Sequence, residues 1–125
     1  MNDVLIVDDS ALARMIVRRS LSAAGLAGAR FAEAPDGAAA LAILQNAVPD
    51  LVVADLNMPE LDGEGLLRAV RADRRLDGVP FLVSSSAMNP AKEERLRGLG
   101  AAAVLRKPFS PGELRAALAA IRSAS

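Results

Sequence analysis

The sequence predicts a small α/β protein, a parallel sheet with helices on both faces. Three observations carry that expectation. Five short apolar runs alternate with segments of helical periodicity. The connections between them are short and marked by Gly, Pro and Asp. Polar or charged residues stand at the ends of four of the five runs, the edge at which open α/β sheets bind ligands.

The first run is Val4-Leu5-Ile6-Val7, β-branched and ending in Asp8-Asp9. Ser10 can cap the helix that follows, whose apolar face is Ala13, Ile16, Val17, Ser20, Leu21 and Ala24. Arg14, Arg18 and Arg19 fall on its other side and resemble ordinary solvated surface. Gly25 stops it. A weaker strand at 29–34 ends at Pro35-Asp36-Gly37, and a short helix follows with Ala38, Leu41 and Leu44 inward. The third strand, 51–54, is apolar throughout, as a strand buried on both faces must be, and Asp55 ends it. Leu66, Leu67 and Val70 mark the next helix face, with Arg68, Arg71, Arg74 and Arg75 largely outside.

Phe81-Leu82-Val83-Ser84 is the fourth strand and passes into Ser85-Ser86. The helix at about 90–99 has a thin apolar stripe and Pro90 in its first turn. The fifth strand, 102–105, ends near Lys107-Pro108, an X-Pro bond of the kind that tolerates the cis form. Ser110 and Pro111 open a last helix that buries Leu114, Ala117, Leu118 and Ile121. Asp36, Asp50, Asp62, Asp73 and Asp77 fit turns and caps. Periodicity leaves the strand order open. The flavodoxin-like order 2-1-3-4-5 would set strands 1 and 3 side by side and bring Asp8 and Asp9 to Asp55.

Composition narrows the chemistry. The 125 residues suffice for one domain, expected over 1–125 with no second domain after it. Fifteen acidic and fifteen basic residues leave no global field for nucleic acid or an anionic membrane. No Cys means no disulfide or thiol chemistry, and no His removes the usual neutral-pH base and most zinc sites. No signal pattern or long apolar span is present, so a cytoplasmic location is expected.

Three carboxylates at adjacent strand ends repel and call for a cation. Mg²⁺ suits an all-oxygen donor set, with Mn²⁺ a possible substitute. Lys107 can add a fixed positive charge and Ser85 a hydroxyl, with Ser84 and Ser86 as competitors for that role. Metal, ammonium and hydroxyl around Asp55 would stabilise a phosphoryl group in transfer, with the Asp55 carboxylate itself as nucleophile. Each residue alone has an ordinary structural reading as a cap, a turn hydroxyl or a solvated charge. Their conjunction at one edge favours a site.

These residues resemble the receiver domain of two-component response regulators, of the CheY type. The likeness covers essentially the whole chain. It rests on Val7-Asp8-Asp9-Ser10, on Asp55-Leu56-Asn57-Met58-Pro59 with Asp62-Gly63, on Gly98-Leu99-Gly100-Ala101 and on Lys107-Pro108-Phe109-Ser110. The resemblance implies a three-layer (βα)5 fold with strand order 2-1-3-4-5. It implies Asp55 as phospho-acceptor, and Mg²⁺ held by Asp8, Asp9, Asp55 and the Asn57 main-chain carbonyl. Ser85 takes the switch position and Lys107 the position of the family's lysine.

The implied partners are a histidine kinase or histidine phosphotransfer protein. A downstream protein would read the face of helix 4, strand 5 and helix 5, here Lys92, Arg95, Arg106, Arg115 and Val104. The oligomeric state implied is a monomer or a weak phosphorylation-dependent dimer. One departure stands out: Val104 occupies a position where the family often has Tyr or Phe. The expected activity is self-directed phosphotransfer and autodephosphorylation, not turnover of small substrates. Two alternatives are a receiver-like binding module that works without phosphate and a Mg²⁺-dependent aspartate-based phosphatase. Asn57, two residues past Asp55, cannot be the general acid the phosphatase needs.

Overall fold

The computed structural model describes residues 1–124. Five strands form one sheet: β1 Asp3–Val7, β2 Arg30–Ala34, β3 Leu51–Asp55, β4 Phe81–Ser85 and β5 Ala103–Arg106. Their order is β2-β1-β3-β4-β5 and every neighbouring pair is parallel. The helices are α1 Ala11–Leu21, α2 Gly37–Leu44, α3 Gly63–Ala72, α4 Pro90–Gly98 and α5 Pro111–Ala124. This is the expected (βα)5 arrangement, with strands 1 and 3 adjacent.

The period-2 alternation of the strands divides the core in two. Leu5, Val7, Val52, Ala54, Phe81, Val83 and Val104 pack with α2, α3 and α4 through Ala40, Leu44, Leu66, Leu67, Val70 and Leu96. Val4, Ile6, Leu51, Val53, Leu82 and Ala103 pack with α1 and α5 through Val17, Leu21, Leu114, Leu118 and Ile121. Both faces of the sheet are therefore covered, which explains why its central strands carry no polar residue before their ends. Among the described residues no helix is long and apolar enough to cross a membrane.

Capping follows the sequence closely. Ser10, Asp36, Asp62 and Asn89 accept hydrogen bonds from backbone N–H groups in the first turns of α1 to α4. Ser110 and Glu113 form a reciprocal capping box on α5, with bonds of 3.0 and 3.2 Å. Each such cap stabilises by about 1 kcal/mol. Asp50 accepts from the N–H groups of Asn2 and Asp3 and so staples the start of β1. Gly25, at φ 114°, turns the chain out of the irregular helical turn Ser22–Leu26 that follows α1.

Several details differ from expectation. Ile16 is 53% exposed, because α1 turns its Val17–Leu21 stripe to the sheet. In α2 Leu44 and the partly buried Leu41 face inward as expected, but Ala40 joins them and Ala38 is exposed, because the Asp36 cap sets the start of the helix and hence its rotation. Strand β5 starts at Ala103, not 102, and extends to Arg106. Ala102 lies exposed on the turn before it and donates to the Phe81 carbonyl.

Candidate phosphoryl-transfer site

Sheet register assembles the site. Val7 pairs with Ala54, so the next residues, Asp8 and Asp55, emerge side by side. Asp8 shares the parity of Val4 and Ile6, Asp55 that of Leu51 and Val53, and Lys107 that of Ala103 and Leu105, all on the α1–α5 side. The Lys107 ammonium lies 2.8 Å from Asp8 Oδ2 and 3.3 Å from Asp55 Oδ1. Carboxylate oxygens of Asp8, Asp9 and Asp55 lie within 4.8 Å of one another. Asp8 is buried, Asp55 half-buried and Asp9 exposed, so the cluster opens to solvent on the Asp9 side.

The electrostatics follow from this packing. Burial pushes the Asp55 carboxyl above its ordinary value; Lys107 opposes that, while Asp8 and Asp9 reinforce it. Burial acts to lower the Lys107 ammonium, but its hydrogen bond to Asp8 and the charges of Asp55 and Asp8 prevail and hold it above the ordinary lysine value. Three carboxylates against one ammonium leave about two negative charges to neutralise. That charge, and a donor set made only of oxygen, fit a hard divalent cation such as Mg²⁺.

The loop after β3 packs closely against the Asp55 backbone. Gly63 starts α3 so close beneath it that an added Cβ would lie 2.4 Å from the Asp55 carbonyl oxygen. Glu60 adopts φ 66°, a conformation non-glycine residues rarely take. Asn57 Nδ2 donates to Ser85 Oγ at 3.2 Å, and the Ala87 N–H donates to the same hydroxyl at 3.1 Å. Ser85 is buried; Ser84 is buried on the opposite face of β4, and Ser86 is exposed beside Lys107. The Lys107-Pro108 peptide is cis.

At this geometry the comparisons decide. The model of the response regulator receiver domain matches residues 4–119. The chain belongs to the response regulator receiver domain family. It is 34% identical over 118 residues to a probable chemotaxis protein CheY of Rhizobium etli, covering 94% of this chain and 90% of that one. It is 36% identical over 113 residues to the sensor histidine kinase TmoS of Ectopseudomonas mendocina, covering 90% of this chain but only 11% of that one. The solved structure of the chemotaxis response regulator CheY4 of Vibrio cholerae superposes with a TM-score of 0.84 at 35% identity, covering 97% of this chain and 98% of that one. The chain spans less than half the length of some other relatives.

Not every expected residue of this receiver domain lies where its sequence suggested. Val104 is only 7% exposed and packs in the core beneath α4, because its parity is that of Phe81 and Val83, not of a surface position. Arg115 reaches the Ala23 carbonyl in the helical turn that follows α1, so it faces the α1 side of α5. Arg95 forms a two-pronged pair with Glu64 of α3, both contacts 2.9 Å. Lys92 and Arg106 donate to the carbonyls of Ala87 and Met88, holding the loop between β4 and α4 from two sides.

The residue that sequence reasoning passed over is Arg14. It was expected in solvent, yet its side chain is 17% exposed and donates to the Asp8 carbonyl and to Glu33. The signal was present: Arg14 lies four residues past the Ser10 cap, and helical side chains lean toward the N-terminus.

Proposed function

We propose that this receiver domain, over residues 1–125, accepts a phosphoryl group on Asp55 and signals by protein contact in a two-component, chemotaxis-type pathway. The donor is the phospho-His of a histidine kinase or histidine phosphotransfer protein. The observation that carries the proposal is the Lys107 ammonium bridging Asp8 and Asp55 beside the exposed Asp9. An Asp55 carboxylate oxygen attacks phosphorus, the bond from phosphorus to the imidazole nitrogen breaks, and that nitrogen leaves with the bond's electron pair. Lys107 stabilises charge on the phosphoryl oxygens, and the Ser85 hydroxyl turns to donate to one of them.

Asp8, Asp9, Asp55 and the Asn57 carbonyl would hold Mg²⁺, or Mn²⁺ in its place, which when bound neutralises the carboxylates and the incoming phosphoryl group. Leu12, Met15 and Ile16 are exposed on α1, and an apolar groove runs from Ile16 past Phe109 to Lys107 and Ser86. That apolar border supports a protein donor rather than a small phosphate ester. The segment similar to this chain inside a sensor histidine kinase supports the same pairing.

An acyl phosphate is labile to hydroxylamine, whereas a phosphoserine resists it. Treatment with Mg²⁺ and acetyl phosphate, followed by intact mass, is expected to give one phosphoryl adduct that hydroxylamine removes and that Asp55→Asn lacks. An adduct that survives hydroxylamine, or persists in Asp55→Asn, overturns the assignment in favour of a serine. No adduct at all favours a module that works without phosphate.

A further inference from the structure

We propose that Arg14 is a positioning residue for the acidic site: it fixes the peptide between Asp8 and Asp9 and thereby aims the Asp9 carboxylate. The inference rests on the function proposed above and adds a residue to it. Asp8 is tied at each of its polar atoms. Its N–H donates to the Ala34 carbonyl at 3.1 Å, which is the last rung between β1 and β2. Its Oδ1 accepts from the Ser10 N–H at 3.0 Å and its Oδ2 from Lys107 at 2.8 Å. Its carbonyl oxygen accepts from Arg14 Nη1.

That carbonyl belongs to the planar unit whose other end is the N–H of Asp9. Beyond the last sheet rung, the Arg14 bond holds the carbonyl end of this plane, while the Ser10 N–H bond to Asp8 Oδ1 restrains the turn on the far side of Asp9. Rotation of the plane would carry the Asp9 carboxylate away from Asp8 and Asp55.

Arg14 is itself oriented. Phe31 and Glu33 of β2 face α1. Glu33 takes Arg14 Nε at 2.9 Å, and Arg18 lies over the Phe31 ring at 5.1 Å and 3.7 Å from Glu33. Arg14 thus spans two acceptors with two different guanidinium nitrogens, a fork that a lysine cannot reproduce.

Charge and geometry make opposite predictions. As a bare cation near a divalent site, Arg14 opposes Mg²⁺, so its loss should tighten binding and Arg14→Lys should change nothing. As a positioning residue, its loss should weaken Mg²⁺ binding, and Arg14→Lys should weaken it too. Outer-shell partners of a metal site typically contribute about 10-fold or more to affinity, and acting through a backbone carbonyl Arg14 is expected to contribute about 3- to 10-fold.

The test is an NMR titration of Mg²⁺ alone, without phosphodonor, read at the amides around Asp8, Asp9 and Asp55. Arg14→Ala and Arg14→Lys should both raise the half-saturating Mg²⁺ concentration and reach the wild-type spectrum in the loop at saturation. Arg18→Ala, which removes the longer Glu33 contact and the stacking on Phe31 but leaves both Arg14 bonds, should leave half-saturation unchanged. Unchanged half-saturation in Arg14→Lys, or tighter binding in Arg14→Ala, overturns the inference while leaving the metal site intact. Failure of the wild-type protein to shift at these amides overturns the functional reading and this inference with it.

Discussion

Two cations anchor opposite edges of the sheet, and they differ in what they hold. At the amino-terminal edge, Arg71 of α3 donates to the carbonyls of Val79 at 2.7 Å, Gly100 at 3.1 Å, Leu76 at 3.2 Å and Asp77 at 3.4 Å. At the carboxyl edge, Lys107 holds the carboxylates of Asp8 and Asp55. The Arg71 partners are neutral dipoles in backbone turns and cannot react. Burial lowers the Arg71 guanidinium, with the charge of Asp77 opposing. Lys107 sits in the reverse situation, outnumbered by carboxylates, one of them with a raised affinity for protons. Arg71 is satisfied by neutral carbonyls, whereas the carboxylates around Lys107 keep a surplus of negative charge.

The largest expected effect lies at the structural anchor. Arg71→Ala removes four carbonyl contacts that tie the chain before β4 and β5 to α3. It should cost about 2–3 kcal/mol in urea unfolding, the range for buried polar groups left without a partner. The Mg²⁺-induced shifts at Asp8, Asp9 and Asp55 should survive in the folded fraction. Loss of those shifts in folded Arg71→Ala would erase the distinction between the two edges.

Lys107→Ala should cost less, about 1–2 kcal/mol without Mg²⁺, because the partly exposed Lys107 side chain lets solvent screen both pairs and cut the roughly 3–5 kcal/mol lost with a fully buried one. Added Mg²⁺ should recover much of that loss by supplying the missing positive charge, whereas it should recover none of the Arg71→Ala loss. Unfolding midpoints of both variants with and without Mg²⁺ separate the cases. Equal recovery in both, or none in either, would mean that the two cations do not differ in what they hold.

The fold was legible because its determinants are local and repeated. Val4 to Val7, 51–54 and Phe81 to Val83 are apolar on both faces, and the caps at Ser10, Asp36, Asp62 and Ser110 sit where the helices begin. The acidic site was legible because strand ends in a parallel sheet converge, so Asp8, Asp55 and Lys107 needed only the right strand order to meet.

The arginines were not legible. Arg71 and Arg14 occupy helix positions that look solvated, since a guanidinium that seeks backbone carbonyls has no partner identifiable by residue type. Val104 differs for another reason: the resemblance implies a place on the face of helix 4, strand 5 and helix 5, while strand parity sends its side chain into the core.

The pH dependence gives a third, smaller effect. Asp55 binds its proton more tightly in the folded chain than an ordinary carboxyl does, chiefly because of burial. For such a raised group the stabilising contribution is complete below the ordinary carboxylate range and is lost as pH rises through the raised value. Ionised Asp55 therefore opposes folding at neutral pH in the absence of metal. Asp55→Asn should be more stable than wild type at pH 7 without Mg²⁺, and the gain should shrink as pH falls below the carboxylate range. Thermal melts at neutral and acid pH check both the sign and the window. A gain that grows toward acid pH would mean that Lys107 outweighs burial at Asp55.

The smallest effect concerns Asn57, which touches the site without carrying charge. Its amide donates to Ser85 Oγ at 3.2 Å, near the long end for such a bond, and the residue is exposed. Asn57→Ala should therefore change stability by no more than about 0.5 kcal/mol. Ser85 would keep its second donor, the Ala87 N–H, so the hydroxyl stays in place but loses one of two bonds to its oxygen. In the proposed transfer the Ser85 hydrogen turns to a phosphoryl oxygen, and neither bond to its oxygen uses that hydrogen. Asn57→Ala should thus leave phosphoryl acceptance on Asp55 intact while shifting the amides of Ser85, Ser86 and Ala87 in the unphosphorylated protein. Shifts confined to Asn57 and its chain neighbours would show that the contact does not hold Ser85. Loss of the Asp55 adduct would show that the Asn57 side chain, beyond the metal role proposed for its main-chain carbonyl, is needed for phosphoryl acceptance.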